Sequence, residues 1–413
     1  MPYTLSATYE IVTPMFIGDA QQEAQTVQPA SVKGALRFWW RALNWGKYRA
    51  TAESDEEALK NLHKEEGKLF GRAAEEVNKK QIGGQGGFLL RVINTKSLQK
   101  KSEHDLNQDT TYKLGKGSWQ SYLLGLGLMK RKDKITGDIY IRDAIISGSF
   151  TVELLCRNKE ISERIKPALL ALGLLGGLGS RSRKGLGSIA IISLALKKGL
   201  SANEEPVPLV TIRNREEFIA CLKKILPPSN LPESSPPFSA FCQDSKILVS
   251  EENPHSSWHA LGKIAQVQQM FRGWGFSYNG NPHEIRRGVK TVYDSYSEKE
   301  DDHERIYKLA GKNIPEVAAT YPRSTVFGLP RSYGLSNFFL RKEITLEPVA
   351  MDSKKLPNQE NKRSRRASPL LIHIHHFASS GESLIVQTFF PAAFLPPGDQ
   401  IEVKENITRG DRS

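Results

Sequence analysis

Twelve residues carry the densest chemistry in this sequence: Gly176-Gly177-Leu178-Gly179-Ser180-Arg181-Ser182-Arg183-Lys184-Gly185-Leu186-Gly187. Five glycines free the backbone for left-handed conformations and for close approach by another backbone, while Arg181, Arg183 and Lys184 put three cations on the same loop. A polyanion is the ligand such a loop suits. No Gly-Lys-Ser/Thr follows, which excludes a P-loop. Gly177-x-Gly179 leads only to Ser182 and comes after a helix-like run, which excludes a dinucleotide-binding turn. Taken alone, the loop also reads as a helix C-cap followed by a solvated basic turn.

A second cationic stripe lies upstream. Ser31 can cap a helix running from Val32 to Leu43, with Val32, Leu36, Trp39 and Leu43 on one face and Lys33, Arg37 and Arg41 on another. A cation in a first helical turn opposes the helix dipole, so Lys33 there favours a docked anion such as phosphate. A solvated amphipathic face is the plain alternative. The run Lys362-Arg363-Ser364-Arg365-Arg366 reads as a further anion site or as a solvated loop.

Composition agrees with an acidic partner. The chain has 413 residues, a formal charge of +13 and a pI near 9.4, which favours nucleic acid, with membrane attachment as the rival reading of the charge. No apolar run approaches transmembrane length, and Met1-Pro2-Tyr3-Thr4 lacks the basic start and apolar middle of a signal peptide. Cys156, Cys221 and Cys242 are widely spaced without a CxxC, so no disulfide framework or zinc knuckle is expected. The expected setting is reducing and cytoplasmic. His373 and His375 fall on one face of a strand and His376 on the other, which argues for structural or nucleic-acid-facing histidines. Asp301-Asp302-His303-Glu304 reads as a solvated acidic turn. Neither a metal nor a cofactor is expected.

These residues need elements to hold them. Leu5, Ala7, Tyr9 and Ile11 alternate in a strand over Tyr3 to Val12, which Thr13-Pro14 ends. After the helix at Ser31 comes a polar helical stretch, Ser54 to Ala74, with Leu69-Phe70-Gly71 as a packing anchor and C-cap. Strands follow at Phe88 to Ile93 and Ile145 to Cys156, then a helix over Lys166 to Leu175 with Pro167 in its first turn, and a strand from Ser188 to Leu194. Strand, helix, strand, strand, helix, strand is the ferredoxin-like order, with the glycine loop just before the last strand. The sheet lacks an RRM-type aromatic signature, so base stacking on its face is not predicted. Between residues 94 and 144 lies a long insertion in which lysines interleave with Tyr112, Trp119 and Tyr122. It suits an arm reaching along single-stranded nucleic acid, or a surface excursion that binds nothing.

The fold class expected is α+β, two tandem ferredoxin-like domains, residues 1–200 and an elaborated 201–413. The second half has a strand at Val207 to Ile212, a helix from Glu216 to Leu226, and a helix across Trp258, Leu261, Ile264 and Ala265. Aromatic-glycine segments follow at Phe271 to Phe276 and Phe327 to Arg331, and the half closes with a hairpin pairing Leu370 to Phe377 with Leu384 to Phe390.

Three stretches together, Pro29 to Arg41, Gly176 to Gly187 and Arg365-Arg366-Ala367-Ser368-Pro369-Leu370, resemble the RAMP (repeat-associated mysterious protein) superfamily of CRISPR systems, and within it the first-subunit family of type III-B Cmr effector complexes. The Ser-x-Lys-Gly-x-x-Arg helix start and the glycine loop are shared widely in the superfamily. The Phe38-Trp39-Trp40-Arg41 continuation and the Arg-Arg-Ala-Ser-Pro segment point to this branch. The resemblance implies two ferredoxin-like domains and a non-catalytic, RNA-binding subunit of an RNA-guided, RNA-targeting complex in antiviral defence. Its partners would be guide RNA near the guide's 3′ end, target RNA, and neighbouring RAMP subunits, with no membrane partner. By position, the RNA contacts fall on Ser31, Lys33, Gly34, Arg37 and Arg41, on Gly177, Gly179, Ser180, Arg181, Arg183, Lys184, Gly185 and Gly187, and on Arg365 and Arg366. Such contacts hold the sugar-phosphate backbone without reading sequence.

Other classes stay open. Some RAMP proteins are metal-independent endoribonucleases that use a histidine, yet the first helix here has none, the nearest being His63, and His104 lies in the insertion. A target-cleaving aspartate could be Asp105, Asp109, Asp133 or Asp138, and nothing selects one. A purely structural subunit is the third class.

Overall fold

Alternation of apolar residues in the first eleven positions produces the strand on which the first sheet is built. The computed structural model describes residues 1–18, 23, 26–77, 80–115, 118–133, 137–199, 205–226, 231–251, 256–272, 328–329, 331–337, 340–349, 366–393, 395 and 400–408. The chain divides into two compact units, Met1–Gln266 with Leu371–Ala392, and Val267–Leu370 with Ala393–Ser413.

The first unit begins with β1 (Tyr3–Ile11), α1 (Pro29–Arg49), α2 (Asp55–Phe70), β2 (Phe88–Ile93), β3 (Ser149–Cys156), α3 (Lys159–Leu175) and β4 (Ile189–Lys198). Their sheet order is β4-β1-β3-β2, antiparallel throughout, so the predicted ferredoxin-like connectivity is complete, with α2 as an extra helix. Leu5, Ala7, Tyr9 and Ile11 bury one face of β1 against Leu36, Trp39 and Leu43 of α1 and Leu169 and Leu172 of α3. Each large apolar side chain so buried contributes about 1.5–3 kcal/mol. The Tyr9 hydroxyl donates to the Leu169 carbonyl at 2.9 Å, which satisfies it inside the core.

Local chemistry moves some boundaries. Pro29 stands in the first turn of α1 with Gln28 at the cap, so Ser31 is an exposed first-turn residue and not the cap that the sequence suggests. Proline's fixed φ pre-forms a helix start three residues earlier. α3 begins at Lys159 because Asn158 caps it, accepting from the Ile161 amide at 3.0 Å, and Pro167 therefore lies inside the helix. Leu69, Phe70 and Gly71 do form the buried anchor and C-cap of α2, capped at its other end by Ser54. The strand expected over 145–156 is interrupted at Gly148 (φ 108°), where a side chain would meet the Ser97 carbonyl at 2.4 Å.

β5 (Val207–Thr211) pairs with β4 as a fifth strand of the same sheet, and α4 (Arg215–Ile225) buries Phe218 and Leu222 in the same core. Next come β6 (Lys246–Val249), α5 (Ser257–Arg272), β7 (Leu370–His376) and β8 (Ser383–Phe389). β6, β8 and β7 form a three-stranded sheet in that order, and Gly381 (φ 73°) turns the predicted β7–β8 hairpin. In the second unit, Arg331–Asn337, Leu340–Val349 and Gln400–Thr408 make another antiparallel sheet. The α+β class with antiparallel sheets thus holds for the described residues taken together.

The insertion is not a free arm. Leu106, Leu114, Leu123, Leu124, Leu128 and Tyr140 share a core with Trp258, Leu261 and Ile264 of α5. Tyr112, Trp119 and Tyr122 pack against that core, and the Tyr112 ring meets Trp258 edge-on at 5.4 Å. The aromatics expected to line a nucleic-acid strand are used in burial, which at about 25 cal/mol per Å² outweighs leaving them in water. Residues 273–276, Asp301 to Glu304 and Lys362 to Arg365 lie outside the described residues.

Candidate nucleic-acid interface

α1 and the glycine loop meet. The Arg183 guanidinium sits over the Phe38 ring, 5.0 Å from its centroid, and Arg183 Nη1 reaches the Ser239 hydroxyl at 3.3 Å. At the start of the loop, a side chain on Gly176 would come 2.6 Å from Trp39 Nε1, so only glycine allows the loop to lie this close to the helix. The convergence of basic helix and loop expected from their topological positions is therefore direct contact.

The loop closes on itself. Leu178 donates to the Gly187 carbonyl at 2.9 Å, Lys184 to that of Arg181 at 2.8 Å, and Gly187 to that of Pro14 at 2.9 Å. Gly187 has φ 61°, and a Cβ there would lie 2.0 Å from the Leu178 carbonyl oxygen. Arg181 also has positive φ, 60°, a conformation that costs a non-glycine residue about 1–2 kcal/mol. Its Nη2 donates to the Leu126 carbonyl of the insertion at 3.2 Å, and the Lys184 ammonium lies over the Tyr122 ring at 5.7 Å. Each loop cation is thus steered by a different neighbour, with Ser180 exposed beside them.

The α1 stripe is divided. Arg37 is clasped by the end of α2: Nη2 donates to the Gly71 carbonyl at 2.5 Å, the guanidinium lies 5.5 Å from the Phe70 centroid, and Nε is 3.7 Å from Glu66. Arg41 approaches the other Glu66 oxygen at 3.9 Å, while the Glu66 side chain is only 7% exposed. Arg41 and Ser31 are exposed, Lys33 is half-buried, and a Cβ on Gly34 would stand in open space, with no neighbour within 4 Å. Arg366 belongs to the second unit, where its backbone pairs with Leu329 and its side chain donates to the Ala393 carbonyl. Burial pulls its guanidinium below the usual range.

Several residues that shape the interface escape a reading of the sequence. Glu66 follows Ala58 and Leu62 and precedes Leu69 on the apolar face of α2, and a carboxylate at that spacing is the signal that could have found it. Thr13 and Ser188 both donate to the Gly185 carbonyl, at 2.7 and 3.0 Å, from fully buried positions. His373 and His375, each 1% exposed, share the inner face of β7, and His376 faces the other way as expected. Burial depresses the His373 imidazole to about 4, against the Gly176 hydrogen bond that raises it. Burial likewise holds His375 well below the ordinary range, helped by the His373 charge.

The candidate aspartates have structural partners. Asp105 closes the capping box of a short helix with Ser102. Asp109 pairs with Lys101 and accepts from the Thr111 and Tyr112 amides, and Asp138 pairs with Arg131. Asp133 lies in a strand opposite Gly137. Among the described residues no three His, Cys, Asp or Glu side chains group as a metal site, and no helix is long and apolar enough to cross a membrane.

Residues 8–190, from β1 to the start of β4 and including both α1 and the glycine loop, match the family model of the RAMP superfamily. This stretch is similar to RAMP domains. Over 197 residues it is 25% identical to the CRISPR system Cmr subunit Cmr1-2 of Pyrococcus furiosus, covering 44% of this chain and 91% of that one. The chain also aligns with the crystal structure of apo Cmr1 from Pyrococcus furiosus, at 18% identity and a TM-score of 0.47, over 95% of this chain and 89% of that one. A chain of the type III-B Cmr-beta complex bound to cognate target RNA aligns at 12% identity and a TM-score of 0.46, over 100% and 97%.

Proposed function

We propose that this protein is a non-catalytic, RNA-holding subunit of a type III-B CRISPR (Cmr) effector complex, gripping guide or target RNA near the 3′ end of the guide and abutting neighbouring RAMP subunits. One observation carries the reading: within a stretch that matches the RAMP superfamily, the loop cation Arg183 stacks on Phe38 of the basic helix, joining the two expected contact segments. The curated relative's name supplies the complex. The net charge of +13 supplies the long-range attraction to polyphosphate. Ser31, Lys33, Gly34 and Arg41 on α1, with Gly177, Gly179, Ser180, Arg181, Arg183 and Lys184 on the loop, form the proposed backbone cradle, and Arg37 braces it from behind. Arg365 and Arg366 are a proposed second contact. The domain division proposed is 1–200 and 201–413, with the cradle in the first.

Photo-crosslinking of the chain to single-stranded RNA carrying 4-thiouridine, followed by peptide mapping, tests this placement. Crosslinks to peptides spanning 31–41 and 176–187 are expected. Crosslinks confined to other surfaces would remove the cradle.

A further inference from the structure

The glycine loop is held by a strand almost two hundred residues away in sequence. β7 touches it at three points: the Ile372 amide donates to the Arg183 carbonyl at 2.9 Å, the Ile374 amide donates to the Ser188 hydroxyl at 3.1 Å, and His373 Nδ1 lies 2.7 Å from the Gly176 carbonyl oxygen. The contacts fall on the beginning, middle and end of the loop. Two are backbone donors that any sequence would provide. The third depends on a side chain.

A carbonyl oxygen can only accept, so the 2.7 Å contact fixes the proton of His373 on Nδ1. Nε2 is then a lone pair, and it faces His375 Nδ1 at 3.4 Å, within reach of a proton on that nitrogen. Both imidazoles are sealed from solvent at 1% exposure. Gly176 needs this partner. It lies where α3 ends and the loop begins, it is wedged against Trp39 Nε1, and its carbonyl sits in a buried place where an unmatched acceptor is costly.

We propose that His373 is a positioning residue for RNA binding: through its Nδ1 hydrogen bond to Gly176 it fixes the take-off of the glycine loop from α3, so that Arg181, Arg183 and Lys184 present to RNA in one arrangement. This rests on the reading of the loop as an RNA contact. It adds that the cradle is set from β7, a strand outside residues 8–190.

The test uses the full chain with two substitutions. His373→Asn keeps an N–H donor near the Nδ1 position, whereas His373→Leu keeps bulk and removes the donor. Hydrogen exchange of the amides in 176–188 reports the loop without any RNA, and binding of single-stranded RNA at fixed salt reports function. His373→Leu is expected to raise exchange in the loop and weaken RNA binding about tenfold, the effect of one buried carbonyl left unpaired, while His373→Asn restores both. Loop exchange and affinity unchanged in His373→Leu would overturn the positioning role. If the wild-type chain binds no RNA, the cradle reading fails instead, and loop exchange alone then decides whether His373 sets the loop. Global unfolding of the leucine variant would leave the asparagine variant as the arbiter, since wild-type folding with a loosened loop in that variant also contradicts the proposal.

Discussion

The guanidinium of Arg183 lies 5.0 Å from the centroid of the Phe38 ring, which ties the glycine loop to α1 across 145 residues of sequence. A planar guanidinium can stack there and still present N–H groups outward, whereas an ammonium offers a point charge with no stacking plane. Arg183→Lys is expected to weaken RNA binding about three- to tenfold despite the retained charge, read by titration against labelled RNA. Equal affinity would mean that charge alone matters at this position.

Two glycines predict opposite outcomes. Gly187 has φ 61° and no room for a Cβ, so Gly187→Ala should destabilise the first unit by more than about 2 kcal/mol, seen as a lowered denaturant midpoint. Gly34 is exposed within α1 with open space around it, so Gly34→Ala should stabilise by about 0.5–1 kcal/mol. If RNA backbone approaches there, the same variant binds RNA more weakly while being more stable. Lower stability for Gly34→Ala would contradict this account of α1.

Arg37 and Arg41 differ in role although they are one turn apart. Arg37 is bonded to Gly71, stacked on Phe70 and paired with Glu66, so Arg37→Ala strips a nearly buried carboxylate of one of its two cations. A loss of about 1–2 kcal/mol is expected, discounted because the arginine is itself 36% exposed. Arg41→Ala should change stability by less than about 0.5 kcal/mol and show its effect in RNA affinity. Thermal melts of both variants separate brace from contact, and similar melting shifts would erase the distinction.

Acid should loosen this fold through β7. His373 is held neutral by burial with its pKa pulled from 6.5 to about 4, and His375 moves the same way. At His373 the unfolded chain takes up a proton below about 6.5 and the folded chain only near 4, so that stabilising contribution is complete above 6.5 and is lost as pH falls towards 4. For His373 that is about 3 kcal/mol, by the 1.4 kcal/mol per unit rule. Urea midpoints at pH 7 and pH 4.5 should therefore differ more in the wild type than in His373→Asn. Parallel pH dependence would show that the imidazole is not the acid-sensitive group.

Local pattern made much of this fold legible in the sequence. β1 showed as alternation, α1 as a helical face with a separate basic stripe, and the loop as glycines among cations, because each is determined within a dozen residues. The insertion misled because its aromatics find their partners on α5, more than a hundred residues away, and no local pattern distinguishes an aromatic that stacks on a base from one that packs on Trp258. Thr13, Ser188 and His373 were invisible as parts of the site for a similar reason. Thr13 and His373 reach the loop across more than 170 residues, and Ser188, beside the loop, joins Gly185 to the distant Ile374 of β7.

The most direct test of the cradle is a salt titration of single-stranded RNA binding by the full chain and by the double variant Lys33→Ala, Arg183→Ala, run with magnesium and with EDTA. Each phosphate contact on a single strand contributes about 0.7 to the slope of log affinity against log salt, so losing two should lower the slope by about 1.4. The account predicts that reduction, weaker binding at every salt concentration, and intact RNA in both buffers. Unchanged slope and affinity in the double variant, or specific cleavage of the RNA, would contradict it.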